Sequence, residues 1–147
     1  MPSTVVTSLL CAVALLVLVG WLLKSRYGGY PPEPYRSRAC QGGAWKKAFP
    51  TAASTEVRNY LLLFVKCFGF HDTQRLQFGP QDQIFQIYEA LYPTNGGIDG
   101  LELETLAVKI ERQYKVDFCA IWHQGLTFGE LFFICQAALP RDTQRDA

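Results

Sequence analysis

Only two histidines, His71 and His123, and no Cys-x-x-Cys pair occur in the 147 residues, so the clustered nitrogen and sulfur ligands of a structural zinc site are missing. No run of alternating apolar and polar residues is long enough to specify a half-buried strand, which argues against a sheet. Charge is sparse at 18%, and beyond Lys47 eight basic residues face twelve acidic ones. A nucleic-acid-binding surface needs a basic patch, and the C-terminal part lacks one. The five cysteines are an odd number with no evident framework. In a reducing compartment Cys67, Cys119 and Cys135 are expected to act as small buried apolar side chains.

What the chain does have is one long apolar run. Val5 to Leu23 contains no charged residue and no proline. At 1.5 Å per residue it would reach roughly 28 Å as a helix, enough to cross a hydrocarbon layer. It is longer than the core of a cleavable signal peptide, has no Lys or Arg before it, and meets Lys24-Ser25-Arg26 without an Ala-x-Ala site. We therefore expect an uncleaved single-pass anchor. Lys24, Arg26, Arg36, Arg38, Lys46 and Lys47 all follow it, which directs the C-terminal domain to the cytoplasm.

Residues 24–53 are rich in Gly, Pro, Tyr and basic side chains, a composition that breaks helix and strand alike. They read as a flexible linker with a coil-like reach on the order of 30 Å. Within it Trp45 and Phe49 flank Lys46 and Lys47, and two placements are open for the aromatic pair: the lipid headgroup zone or the surface of the domain.

Residues 54–140 read as a helical domain with no internal repeat. A first helix from about Thr55 to Phe68, capped by Ser54 or Thr55, has Tyr60, Leu61, Phe64, Val65 and Phe68 on one face, and Gly69 stops it. Gly79-Pro80 introduces a second, over Pro80–Tyr92, with Ile84, Ile87, Tyr88 and Leu91 as its stripe. The third runs from Leu101 to Tyr114, with Leu103, Leu106, Ala107, Ile110 and Tyr114 facing inward. The last begins at Thr127 and Glu130, spaced as a capping box, and Pro140 ends it before a 141–147 tail.

Asp99-Gly100-Leu101 at the head of the third helix, then Leu106, Ile110, Glu111, Tyr114, Asp117 and Phe118, and finally Thr127-Phe128-Gly129-Glu130-Leu131, resemble the second half of an acyl carrier protein. Thr55–Gly69 is similar to that family's first helix, although the extra Pro80–Tyr92 helix lengthens the connection. The resemblance implies a helical bundle, a short extended piece near Phe118, and a partner-recognition face on the long helix and the segment before the last one. In this chain that face would comprise Glu102, Thr105, Lys109, Arg112 and Trp122. Carriers hold phosphopantetheine on a Ser after the Asp, and here that position is Gly100. Without a hydroxyl no phosphodiester can form, so no cofactor is expected.

Other chemistry fits less well. An EF-hand loop begun at Asn95 would have Gly97 at its third position and Leu106 at its twelfth, where oxygen ligands are needed. Cys119 and His123 would lie one turn apart on a helix, the makings of a thiolate–imidazolium pair, but a buried Cys beside a surface His is the commoner arrangement. The expectation is an all-α, non-enzymatic, membrane-anchored, acyl-carrier-like interaction module with a cytoplasmic protein partner. A working carrier with another attachment residue, and a small membrane enzyme using Cys119 and His123, are the alternatives.

Overall fold

The computed structural model of the protein describes Leu16, residues 29–93 and residues 100–140. Among these residues it is all-α: α1 (Gly42–Ala48), α2 (Ser54–Cys67), α3 (Ile84–Leu91), α4 (Leu101–Tyr114), α5 (Phe118–Ile121) and α6 (Phe128–Ala138), with a 3-10 segment over Asp72–Gln77. Extended pairing among them is limited to the isolated bridges Gly29–Phe70 and Gln83–Thr127. No helix of the described residues is long and apolar enough to cross a membrane. Except for Leu16, the expected span Val5–Leu23 lies outside them, as do Asp99 and the 141–147 tail.

α2 is the central element, packed against the 3-10 segment and α4. Tyr60, Leu61, Phe64, Val65 and Phe68 are all buried, as their spacing requires. Its start differs from expectation. The cap is Ala53, whose carbonyl accepts the Glu56 N–H (3.0 Å) while the Glu56 carboxylate accepts the Ala53 N–H (3.1 Å). One acidic side chain thus replaces the expected Ser or Thr cap and also meets the positive end of the helix dipole. At the far end the Phe70 N–H reaches the Val65 carbonyl (2.8 Å) and the Gly69 N–H the Lys66 carbonyl (3.4 Å), a Schellman closure.

The linker reading is wrong from Gly29 onward. Gly29 donates to the Gly69 carbonyl (2.6 Å) and accepts from His71 N–H (3.2 Å), Tyr35 is buried, and α1 inserts Trp45 at 1% exposure. The Trp45 indole N–H donates to the Phe78 carbonyl (2.8 Å), and its ring lies 5.6 Å from Phe132 and 5.7 Å from Phe49. Of the two placements open for Trp45 and Phe49, packing on the domain is the one observed. Burying an indole with its N–H satisfied outweighs the weak helix propensity of a Gly-rich segment.

The second helix begins at Ile84 rather than Pro80. Residues 79–83 form a turn instead, because their polar groups are engaged elsewhere. The Asp82 carboxylate accepts the Gly79 N–H (2.6 Å) and two bonds from one Arg38 nitrogen (2.8 and 2.6 Å). The Pro80 and Asp82 carbonyls accept Gly129 and Phe128 N–H (2.8 and 3.0 Å), satisfying the free donors at the start of α6. The segment near Phe118 is also not extended: Asp117 accepts from Ala120 N–H (3.2 Å) and caps the four-residue α5.

Candidate functional site

α4 occupies the bounds its periodicity implies, Leu101–Tyr114, and Gly100 is its cap residue. Gly100 adopts φ +69° and ψ 4°, the left-handed region. Its N–H donates to the Tyr88 hydroxyl (3.1 Å) and its carbonyl accepts from Glu104 N–H (2.9 Å). A Cβ built there would meet no atom within 4 Å. The position is therefore sterically open yet conformationally suited to glycine, and it offers no nucleophilic or esterifiable atom.

The five residues of the expected partner face separate into four groups. Glu102 turns toward Tyr92, whose hydroxyl donates to its Oε1, and its Oε2 is buried without a partner among the described residues. Trp122 is half-buried, its ring 5.4 Å from Phe118 and 6.3 Å from Phe85, so much of the indole serves the core. Thr105 is half-buried on α4. Lys109 and Arg112 are brought together, and they are joined by a residue that the linear pattern did not suggest.

That residue is Lys66, near the end of α2. Lys66, Lys109 and Arg112, with Asn59, Leu62, Leu63 and Gln113, line a groove of about 380 Å³ between α2 and α4. Three cations and two amides surround two leucines, and no carboxylate lines it. Among the described residues none of the three cations forms an ion pair. Cys67 lies close by: burial pushes its thiol above the ordinary value, and the Lys109 charge partly offsets this. Lys66 was invisible in the sequence because helical periodicity assigns residues to faces of one helix, not to a neighbour across a groove.

Cys119 and His123 do not share a helix. Cys119 is exposed on α5, correcting the expectation that it is buried, whereas His123 follows the helix and sets Nε2 3.4 Å from Glu130 Oε1. Glu130 was expected to complete a capping box. Thr127 Oγ1 does accept the Glu130 N–H (3.1 Å), but the Glu130 carboxylate meets His123. Cys119 instead lies with Glu111 and Asp117, their ligand atoms within 4.8 Å of one another and all three residues exposed. The Asp117 carboxylate is already a helix cap, which accounts for its presence there. Cys135 is fully buried, and burial pushes its thiol up to about 12, so it is inert at neutral pH.

Comparison of the chain with protein-family models, with curated proteins and with solved structures finds no match.

Proposed function

We propose that this protein is a membrane-anchored, acyl-carrier-like interaction module that carries no phosphopantetheine arm and brings a cytoplasmic protein partner to the membrane face. The observation that carries the reading is Gly100 at the leading end of α4, where an attachment serine would stand, with a left-handed backbone and no hydroxyl. It is supported by the order of elements: a long helix, a connection lengthened by the 3-10 segment and α3, a helix opening after Gly100 and a last helix capped by Thr127, although Phe118–Ile121 is helical where the resemblance implies an extended piece. The sequence motifs from Leu101 to Phe118 and from Thr127 to Leu131 fall on these elements. Val5–Leu23 supplies the anchor, and the bases after it orient the domain toward the cytoplasm.

Co-expression of the full chain with a phosphopantetheinyl transferase, followed by intact-mass measurement, tests the non-carrier reading. The expected spectrum holds the unmodified chain alone. An added phosphopantetheine mass would refute it and favour a working carrier with another attachment residue.

A further inference from the structure

We propose that the groove between α2 and α4 binds the phosphate headgroup of an anionic phospholipid, using Lys66, Lys109 and Arg112, and so holds the domain in a fixed pose against the bilayer. The inference rests on the membrane-anchor reading of Val5–Leu23 and adds to it a lipid-binding site.

The first support is the short tether. Gly29 is already hydrogen-bonded to Gly69 and His71, so only residues 24–28 separate the end of the apolar run at Leu23 from the folded domain. Six Cα-to-Cα steps span at most about 22 Å however they run. Gly29 meets Gly69, whose own N–H bonds to the Lys66 carbonyl. The point where the chain joins the domain is thus the end of α2 that bears Lys66. With the span inserted, that end stays within roughly 22 Å of the hydrocarbon edge and so can reach the headgroup layer, which extends roughly 6 Å beyond the hydrocarbon on each side. A free linker of 30 residues would have allowed the domain to stand off, and the docking of residues 29–53 removes that freedom.

The second support is composition. The groove is open to solvent, with a volume of about 380 Å³. Leu62 and Leu63 give an apolar floor for the first carbons beneath a headgroup, while Lys66, Lys109 and Arg112 supply positive charge and Asn59 and Gln113 supply amide donors. The neighbouring carboxylate on α4, Glu111, belongs to the Asp117–Cys119 cluster and does not line the groove. Helix-dipole complementarity accounts for Lys66 and Arg112, each in the last turn of its helix, but not for Lys109, which lies in the body of α4. Near the tether, exposed Tyr30 lies under the Arg36 guanidinium at 4.7 Å, an aromatic–cation pair of the kind accommodated at headgroup depth.

The test uses the full chain in neutral-detergent micelles, titrated with dioctanoyl phosphatidylserine, dioctanoyl phosphatidylcholine and inorganic phosphate. Saturable binding of phosphatidylserine is expected, at least tenfold tighter than either other probe, and Lys109→Ala with Arg112→Ala should weaken it at least tenfold. The charge-preserving pair Lys109→Arg and Arg112→Lys should retain binding, and Lys66→Ala, at an exposed position, gives an independent loss if the double variant unfolds. Equal affinity for the two lipids, phosphate binding as tight as the lipid, or undiminished binding by the Lys66 variant would overturn the proposal. Alkaline extraction from vesicles tests the anchor separately. Release of the chain defeats the anchor reading, whereas retention without headgroup preference defeats the groove alone.

Discussion

The two flanks of α2 are made of different materials. Toward α1 and α6 it meets aromatic rings: Tyr60 stands 6.1 Å from Trp45 and 5.2 Å from Phe132, and its hydroxyl donates to the Phe128 carbonyl (3.0 Å). Every polar atom named on that side has a partner, and burial pushes the Tyr60 phenol well above its ordinary value. Toward α4 the floor is leucine, but the rim is cationic and open. The first flank is satisfied within the fold, whereas on the second no ion pair among the described residues holds Lys66, Lys109 or Arg112. The aromatic side chains of the first are buried, and the cations of the second line an open surface. Mutation should divide them in the same way.

Trp45→Ala should have the largest effect, about 3–5 kcal/mol, because it removes a buried indole and leaves the Phe78 carbonyl without its donor. Chemical denaturation of the full chain in micelles reads this as a lower midpoint. On the other flank Lys109→Ala should stay within about 0.5 kcal/mol. A comparable loss at both sites would mean that the α4 flank is structural after all. Gly129→Ala comes next. A Cβ there would sit 2.9 Å from the Pro80 carbonyl oxygen, which is backbone and already bonded to the Gly129 N–H. Overpacking of this kind costs about 1–3 kcal/mol, and the cost should appear in the same midpoint.

These positions also show what was readable beforehand. α4 was legible to the residue because one apolar stripe, Leu106, Ile110 and Tyr114, is buried with Leu103 and Ala107 packed beside it, even though Leu101 and Val108 are exposed on the other side. The burial of Trp45 was not legible as a choice, since nothing in a Gly- and Pro-rich segment says whether its one indole meets lipid or protein. That was decided by a partner 33 residues away, the Phe78 carbonyl. Pro80 was misleading for a similar reason. Proline suits a first helical turn, yet its carbonyl is held by Gly129 and the turn at Asp82 is fixed by Arg38, 44 positions earlier. Glycine in Thr127-Phe128-Gly129-Glu130-Leu131 looked like part of a family motif, and the structure supplies its physical reason, a close backbone approach. Lys109 and Arg112 were named as surface residues, but the groove needed α2 to complete it.

Gly100 gives a smaller loss than Trp45 or Gly129, and the clearest sign. Replacing glycine by alanine ordinarily stabilises a site whose backbone alanine can adopt, by about 0.4–1 kcal/mol, through the unfolded chain. At φ +69° the sign should reverse: the left-handed conformation costs an L-residue about 1 kcal/mol or more, and no neighbouring atom adds a clash. Gly100→Ala should therefore lower the midpoint slightly, and Gly100→Asn less, since Asn tolerates this region better. Gly100→Ser should carry a penalty similar to that of alanine. Relaxing it would move the Gly100 N–H away from the Tyr88 hydroxyl at 3.1 Å. The helix start thus depends on the conformational freedom of glycine, so under the proposed reading a serine hydroxyl placed there would not by itself supply a carrier geometry. A rise in midpoint for Gly100→Ala would show that the left-handed start is not held in solution and would remove the geometric support for the proposed non-carrying role.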